Sequence, residues 1–408
     1  MNSIRKREKM KKIMILGASI LQLPAIEKAL AMGLQVVAVD MNPEAVGMKM
    51  PGVIPEVVST IDIPAVVAVA KKHSIDGVMT LASDMPMRSV AAVAKELNLV
   101  GITDDTALKA TNKAVMRQAL KDAGVPVPKF FKVSNKSEYD QAVSYFTVPF
   151  IVKPADNSGS RGILKIADLT CKKLIDDAYT YSKQYSRNGD VVVEEYMSGP
   201  EVSVETLTVD GECYVIQITD KITTGAPHFV EMGHTQPTRL PGDIPAKIAE
   251  VAKAANKAIG ITNGPSHTEI IVTNEGPKIV ELGARLGGDC ITTHLVPLST
   301  GVDMVECCIK IALGENPDIE AKYSKGSAIR YFEQHAGIVT EINGIEDAKK
   351  IKGIDQISIV HGIGETITEI DSSTARMGFI IAQGENADDA AFICEKAKET
   401  LKIVISPN

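Results

Sequence analysis

Residues 267–285 read HTEIIVTNEGPKIVELGAR, and the fold turns on how this stretch pairs with itself. His267 to Thr273 and Pro277 to Leu282 are rich in Ile and Val, as strands are, and Asn274-Glu275-Gly276 between them is turn chemistry. A three-residue loop makes Thr273 face Pro277, and counting outward sets Glu269 directly opposite Glu281. Like charges facing each other across a ladder destabilise it. Two carboxylates held that close share a cation or a proton. One or two carboxylates completed by water and phosphate oxygens describe a Mg²⁺ site that works on a nucleotide. Alone, the hairpin fits a solvated turn with two exposed acids better than a metal site, so its reading depends on what surrounds it.

The 408 residues leave room for two or three domains with real cores, and 45% hydrophobic with 23% charged residues is a globular composition. Net charge is −7, there is no Trp, and the only sustained basic block lies at the N-terminus, so no nucleic-acid surface is indicated. Six scattered cysteines without a C-x-x-C read as free thiols in a reducing compartment. No apolar stretch approaches membrane-spanning length. The expectation is a cytoplasmic protein without membrane partners, with residues 1–11 a disordered basic tail.

Residues 12–110 alternate strands (IMIL, QVVAVD, DGVMTL) with helices, which implies a doubly wound parallel sheet in an α/β fold. The first turn, Gly17-Ala18-Ser19, lacks G-x-G-x-x-G, which argues against a dinucleotide site. Ligands of such sheets still bind beyond the strand carboxyl ends, where Gly17, Asp40 and Ser83-Asp84 fall. A helix is expected from about Thr111 to Ala123, closed by Gly124. The chain is then strand-rich to about 320. From about 326, short strands around Ile338, Ile357 and Ile380 surround a helix near Asp388 to Leu401.

Phosphate chemistry has one candidate place, a loop that taken alone fits a flexible hairpin equally well. PADNSGSRG, 154–162, lies between the strands FIVK and ILKI, and a Gly/Ser loop of this kind offers backbone N–H groups to phosphates. It is not a Walker loop, since no G-K-[ST] occurs in the chain. Lys153 ends an apolar strand, and burying it unpaired would be expensive, so it faces a site.

Lys113, IVKP at 151–154, the Ser/Gly loop, EEYMSGPEVSVE at 194–205, TEI and VELGAR together resemble the ATP-grasp superfamily in order and spacing over about 105–320. The nearest likeness is to carbamoyl-phosphate synthase-like proteins and L-amino-acid ligases. The resemblance implies a pre-ATP-grasp Rossmann-like domain at 12–110, an ATP-grasp α+β domain at 111–320 with a lid subdomain at about 129–197, and a small C-terminal α+β domain at 321–408. It implies that Lys113 and Lys153 hold phosphates of ATP, and that Ser158, Gly159, Ser160 and Gly162 close over them, Asn157 to Gly162 serving as a lid. Glu194, Glu195, Tyr196 and Met197 match the segment that meets adenine, and Glu201 the position that receives ribose hydroxyls. Glu269 and Glu281 match the Mg²⁺ carboxylates, with Mn²⁺ as an alternative ion, in agreement with the hairpin count. Arg285 matches the arginine that neutralises the transferring phosphoryl group. Many relatives have Glu-x-Asn-x-Arg where this chain has Gly283, which puts a second metal ion in question.

The activity so implied is ATP-dependent ligation of a small-molecule carboxylate to an amine through an acyl-phosphate, giving ADP and phosphate. Lysines, an arginine and carboxylate-bound metal supply the positioning and charge neutralisation that phosphoryl transfer requires. Carboxyphosphate formation from bicarbonate, or nucleotide binding without turnover, are the alternatives, and a homodimer is compatible with all three. His234 and Arg330, with Arg376, are candidates for the substrate, and His267 sits two residues from Glu269 on the same strand face.

Overall fold

The computed structural model describes residues 10–157, 161–226 and 228–407. The basic tail expected at 1–11 therefore lies, up to residue 9, outside the described residues, and the first strand begins at Lys12. Four parallel strands, in the order Val53–Val57, Gln35–Asp40, Lys12–Leu16, Gly77–Met79, form the N-terminal sheet. Ile13 to Leu16 and Val36 to Val39 are wholly buried, as expected of parallel strands covered on both faces. Their two faces feed two cores. Met14, Leu16, Val37 and Val39 share one with Val202, Val204, Ile270 and the helix Ile244–Ile259. Ile13, Ile15, Val36 and Ala38 share the other with Leu286, Ile309 and Ile329.

The central sheet has eight antiparallel strands in the order Gly276–Gly283, Gly264–Thr273, Glu201–Val209, Glu212–Thr223, Glu231–Gln236, Gly326–Tyr331, Gly378–Gly384, Ile354–Ile359. Three strands of the C-terminal segment thus extend this sheet, and only Thr366–Ile367, Gly337–Asn343 and Lys402–Ser406 form a sheet of their own. A fourth sheet, Phe130–Val133, Val191–Glu195, Phe150–Pro154, Leu164–Ile166, is antiparallel and packs the helices Lys136–Ser144 and Lys172–Gln184 around a separate core that includes Tyr139, Phe150 and Tyr179. Among the described residues no helix is long and apolar enough to cross a membrane.

Two sequence expectations change in detail. The hairpin loop is two residues, not three, because Thr273 pairs with Gly276 and Val272 with Pro277. A bulge then places one extra residue, Val280, on the second strand, and Glu269 does face Glu281. The loop error and the bulge cancel. The helix expected from about Thr111 to Ala123 runs Lys113–Asp122, and an unforeseen helix, Asp104–Thr111, precedes it across a break at Asn112. Asn112 accepts the N–H groups of Ala114 and Val115 on Oδ1, both at 3.1 Å, which caps the second helix and sets Lys113 as its first residue. Asn112→Ala is expected to cost about 1 kcal/mol, read as a lower urea midpoint with an unchanged denaturant slope.

Candidate active site

Strand alternation builds one polar face on the central sheet. Glu201, Ser203 and Glu205 project to it, while Val202 and Val204 enter the core behind. Ser203 pairs with Glu269 and Glu205 with His267 on one side, and with Thr219 and Gln217 on the other. Glu281 lies beyond Glu269, and Lys221 faces His234 across the next ladder.

Each hairpin glutamate has its own cation. Lys113 Nζ lies 2.7 Å from Glu281 Oε1 and also donates to the Asn157 carbonyl at 2.7 Å. Lys221 is buried with Nζ 2.6 Å from Glu201, 3.1 Å from Glu269 and 3.6 Å from Glu231. Burial works against its charge, but Glu269, Glu201 and Glu231 hold its pKa well above the ordinary lysine value. Burial likewise opposes ionisation of Glu269, and Lys221 followed by His267 outweighs it, holding the carboxyl well below its usual range. Glu201 is pushed up, mainly by burial and further by Glu269 and Glu231. His267 Nδ1 is 2.6 Å from Glu205 and Nε2 is 3.6 Å from Glu269.

Lys153 is buried against Glu194, which also accepts from Arg117 Nε at 3.0 Å. The lysine is thus paired, and burial still lowers its pKa. Glu194 stays ionised because Arg117 and Lys153 overcome its burial. The N–H groups of Glu195 and Tyr196 are taken by the carbonyls of Lys129 (2.9 Å) and Pro149 (3.0 Å), and Lys165 Nζ stands 3.6 Å over the Tyr196 ring. Met197 is buried. The turn at Gly199 presses this segment on the hairpin: a Cβ there would sit 2.0 Å from the Val272 carbonyl oxygen, at φ +147°. Gly162 packs on Tyr185 and Pro154 and accepts from Ser182 at 2.6 Å. Ser158, Gly159 and Ser160 lie outside the described residues.

Arg285 is held bidentately by Asp84 of the N-terminal domain, Nε to Oδ1 at 2.8 Å and Nη2 to Oδ2 at 3.2 Å. His234 Nε2 lies 3.3 Å from Asp289, whose carboxylate also takes Arg376 at 2.7 and 2.9 Å. Arg376 stacks 3.7 Å over Tyr331 and donates to the Glu231 carbonyl. Asp289 and Cys290 both have left-handed backbones, φ +51° and +62°, a strained pair of the kind found at functional sites. Arg330 does not join this group. Alternation turns it to the opposite face, where it bonds Glu395, the Thr235 hydroxyl and the carbonyls of His234 and Ile329.

Lys221, Glu205 and Asp289 were missed in the sequence. The run EVSVETLTV put Glu201 and Glu205 on one face with Ser203, and Asp289 closes the stretch GARLGGD, signals that were legible; Lys221 carried none without the sheet order. Among the described residues no three His, Cys, Asp or Glu side chains are placed to hold a metal by themselves. The donor set is the paired Glu269 and Glu281, each about a quarter exposed, which suits a hard cation that keeps waters and takes phosphate oxygens.

Two segments of the chain match known protein families. Residues 146–293 match the ATP-grasp domain, and 330–406 match L-amino acid ligase C-terminal domain 2. The chain thus carries an ATP-grasp domain, and with the ligase domain that follows, it is a ligase that forms C–N bonds. An uncharacterised protein of Sinorhizobium fredii is 29% identical over 339 residues, 83% of this chain and 70% of that one. The L-arginine-specific L-amino acid ligase of Bacillus subtilis is 28% identical over 309 residues, 72% of each. The crystal structure of L-amino acid ligase from Bacillus licheniformis shares the fold with a TM-score of 0.83 at 23% identity, over 98% of this chain and 100% of that one.

Burial pulls the His267 pKa down, but Glu205 and then Glu269 raise it to about 9 in the folded chain. Its stabilising contribution is therefore complete below the unfolded value of about 6.5 and lost as pH rises through about 9, by at most about 3 kcal/mol. Urea unfolding at pH 6 and pH 9.5 should show the wild type losing its advantage over His267→Gln at the higher pH. A constant difference would remove the charged His267–Glu205 pair.

Proposed function

We propose that this chain joins an amino-acid carboxylate to the amine of a second amino acid through an acyl-phosphate, converting ATP to ADP and phosphate. The observation that supports it is the opposition of Glu269 and Glu281, with Lys113, Lys221 and Arg285 around them on one face. The amino-acid substrates are suggested by the ligases that the chain resembles.

In this reading Lys113 and Lys153 take the phosphates as point charges, Glu194 to Met197 border adenine, and Glu201 receives the ribose. Glu269 and Glu281 would hold Mg²⁺, with Mn²⁺ able to replace it, and bound there it neutralises phosphate charge. The substrate carboxylate oxygen attacks the γ-phosphorus. That O–P bond forms as the bond to the β-bridging oxygen breaks, and ADP leaves. Arg285 faces the negative charge that spreads over the transferring group. The amine then attacks the acyl carbon, the C–O bond to phosphate breaks, and the amine proton is lost to solvent or a nearby carboxylate. His234, Asp289 and Arg376, beside Glu231 and Tyr331, form the wall where a substrate would be selected.

Screening ADP release across pairs of amino acids should reveal a productive pair. ¹⁸O in the acceptor carboxylate should then reach inorganic phosphate. AMP as product, or ADP formed only with bicarbonate, would displace this reading. Glu281→Gln keeps shape and removes charge, so turnover should fall at least about 10²-fold while the melting temperature holds. Near-normal activity in that variant would break the pairing argument.

A further inference from the structure

We infer that Asp84 is a positioning residue for Arg285, and that position 283 is glycine because this carboxylate fills the space a side chain there would need. The part about Arg285 rests on the ligase reading above; the contact itself does not. Residues 281 and 283 project to the same face, and a Cβ on residue 283 would lie 2.8 Å from Asp84 Oδ1 and 3.1 Å from Arg285 Nε. Gly283 is not in the left-handed region, so space and not backbone conformation demands glycine.

Asp84 is not free to withdraw. The buried Gln22 accepts from the Leu81 N–H at 2.7 Å and donates to Ser83 Oγ at 3.1 Å. The Leu286 N–H, next to Arg285, donates to the Leu81 carbonyl at 3.0 Å. The segment 81–84 is thus stapled to the strand end it serves. Its carboxylate takes Nε and Nη2, one edge of the guanidinium, and Nη1 donates to the Leu286 carbonyl at 3.1 Å. Of the five donors, one on each Nη remains without a partner among the described residues. Glu281 and Glu269 also act electrostatically on this cation. Without Asp84 a flexible arginine would be drawn onto those two carboxylates and close the cation site. Asp84 holds the guanidinium aside while leaving one edge for an oxyanion.

The test is a cycle of Gly283→Ala, Asp84→Ala and the double variant, melted without nucleotide, together with the kinetics of Asp84→Asn. Gly283→Ala should lower the melting temperature when Asp84 is present and cost clearly less in the Asp84→Ala background; additive shifts would overturn the shared-space argument. Asp84→Asn should lower kcat for ADP release about 10²-fold with the KM for ATP within about threefold of wild type. An unchanged kcat, or a loss carried by KM, would overturn the positioning role. If the unmutated protein releases no ADP with any amino-acid pair, the ligase reading is what fails, and the melting cycle still decides the contact.

Discussion

Two like charges held opposite each other on neighbouring strands are the constraint from which the rest of the site follows. Glu269 and Glu281 cannot both stay ionised in a half-buried ladder without nearby positive charge. The chain meets this from different directions: Lys113 from the start of a helix, Lys221 and His267 from the sheet. Neither lysine neutralises the cluster. Six acids, Glu201, Glu205, Glu231, Glu269, Glu281 and Asp84, outnumber the four cations Lys113, Lys221, His267 and Arg285, so this end of the face keeps surplus negative charge. At the other end Arg117 and Lys153 share a single carboxylate, Glu194, and the surplus is positive. A ligand that is anionic at its phosphates and carries a cation completes both ends, which is the charge pattern of a metal-bound nucleotide.

Such a network is poor evidence of stability. Ion pairs taken out of water recover their desolvation cost only with good geometry, and apolar replacements are often as stable or more so. Arg117 Nη1, Glu205 Oε2 and His234 Nδ1 are buried without a hydrogen-bond partner among the described residues. Groups left in that state are tolerated where function requires them, and the three border the nucleotide, metal and substrate parts of the proposed site.

The parallel sheet, the hairpin and the strand bearing Lys153 were legible because each is a local signal: alternation, turn residues, a lone charge in an apolar run. The hairpin shows the limit of such counting. A loop one residue too long and an unforeseen bulge cancelled, so the opposition of Glu269 and Glu281 was reached through a wrong loop. Partners set by sheet order were not legible. Lys221 lies 48 residues from Glu269, Asp84 lies 201 from Arg285, and nothing along the chain joins them. Arg330 failed for a related reason. A strand residue has two faces to choose from, and the register that sends it toward Glu395 appears only once its strand is placed between Glu231–Gln236 and Gly378–Gly384.

The chain also divides its cohesion unevenly. The N-terminal sheet and the central sheet share two continuous apolar cores, so Asp84 and Arg285 meet across a junction with apolar packing behind it. The four-stranded sheet that carries Lys153 and Glu194 keeps its own core. It meets the rest largely through Arg117–Glu194, Lys113 to the Asn157 carbonyl, and a small apolar cluster of Ala114, Ala155 and Val192. The groups that would act on the transferring phosphoryl are thus fixed by packing. Those that would hold the far phosphates and the base are fixed by charge, the kind of contact that a charged ligand can itself replace.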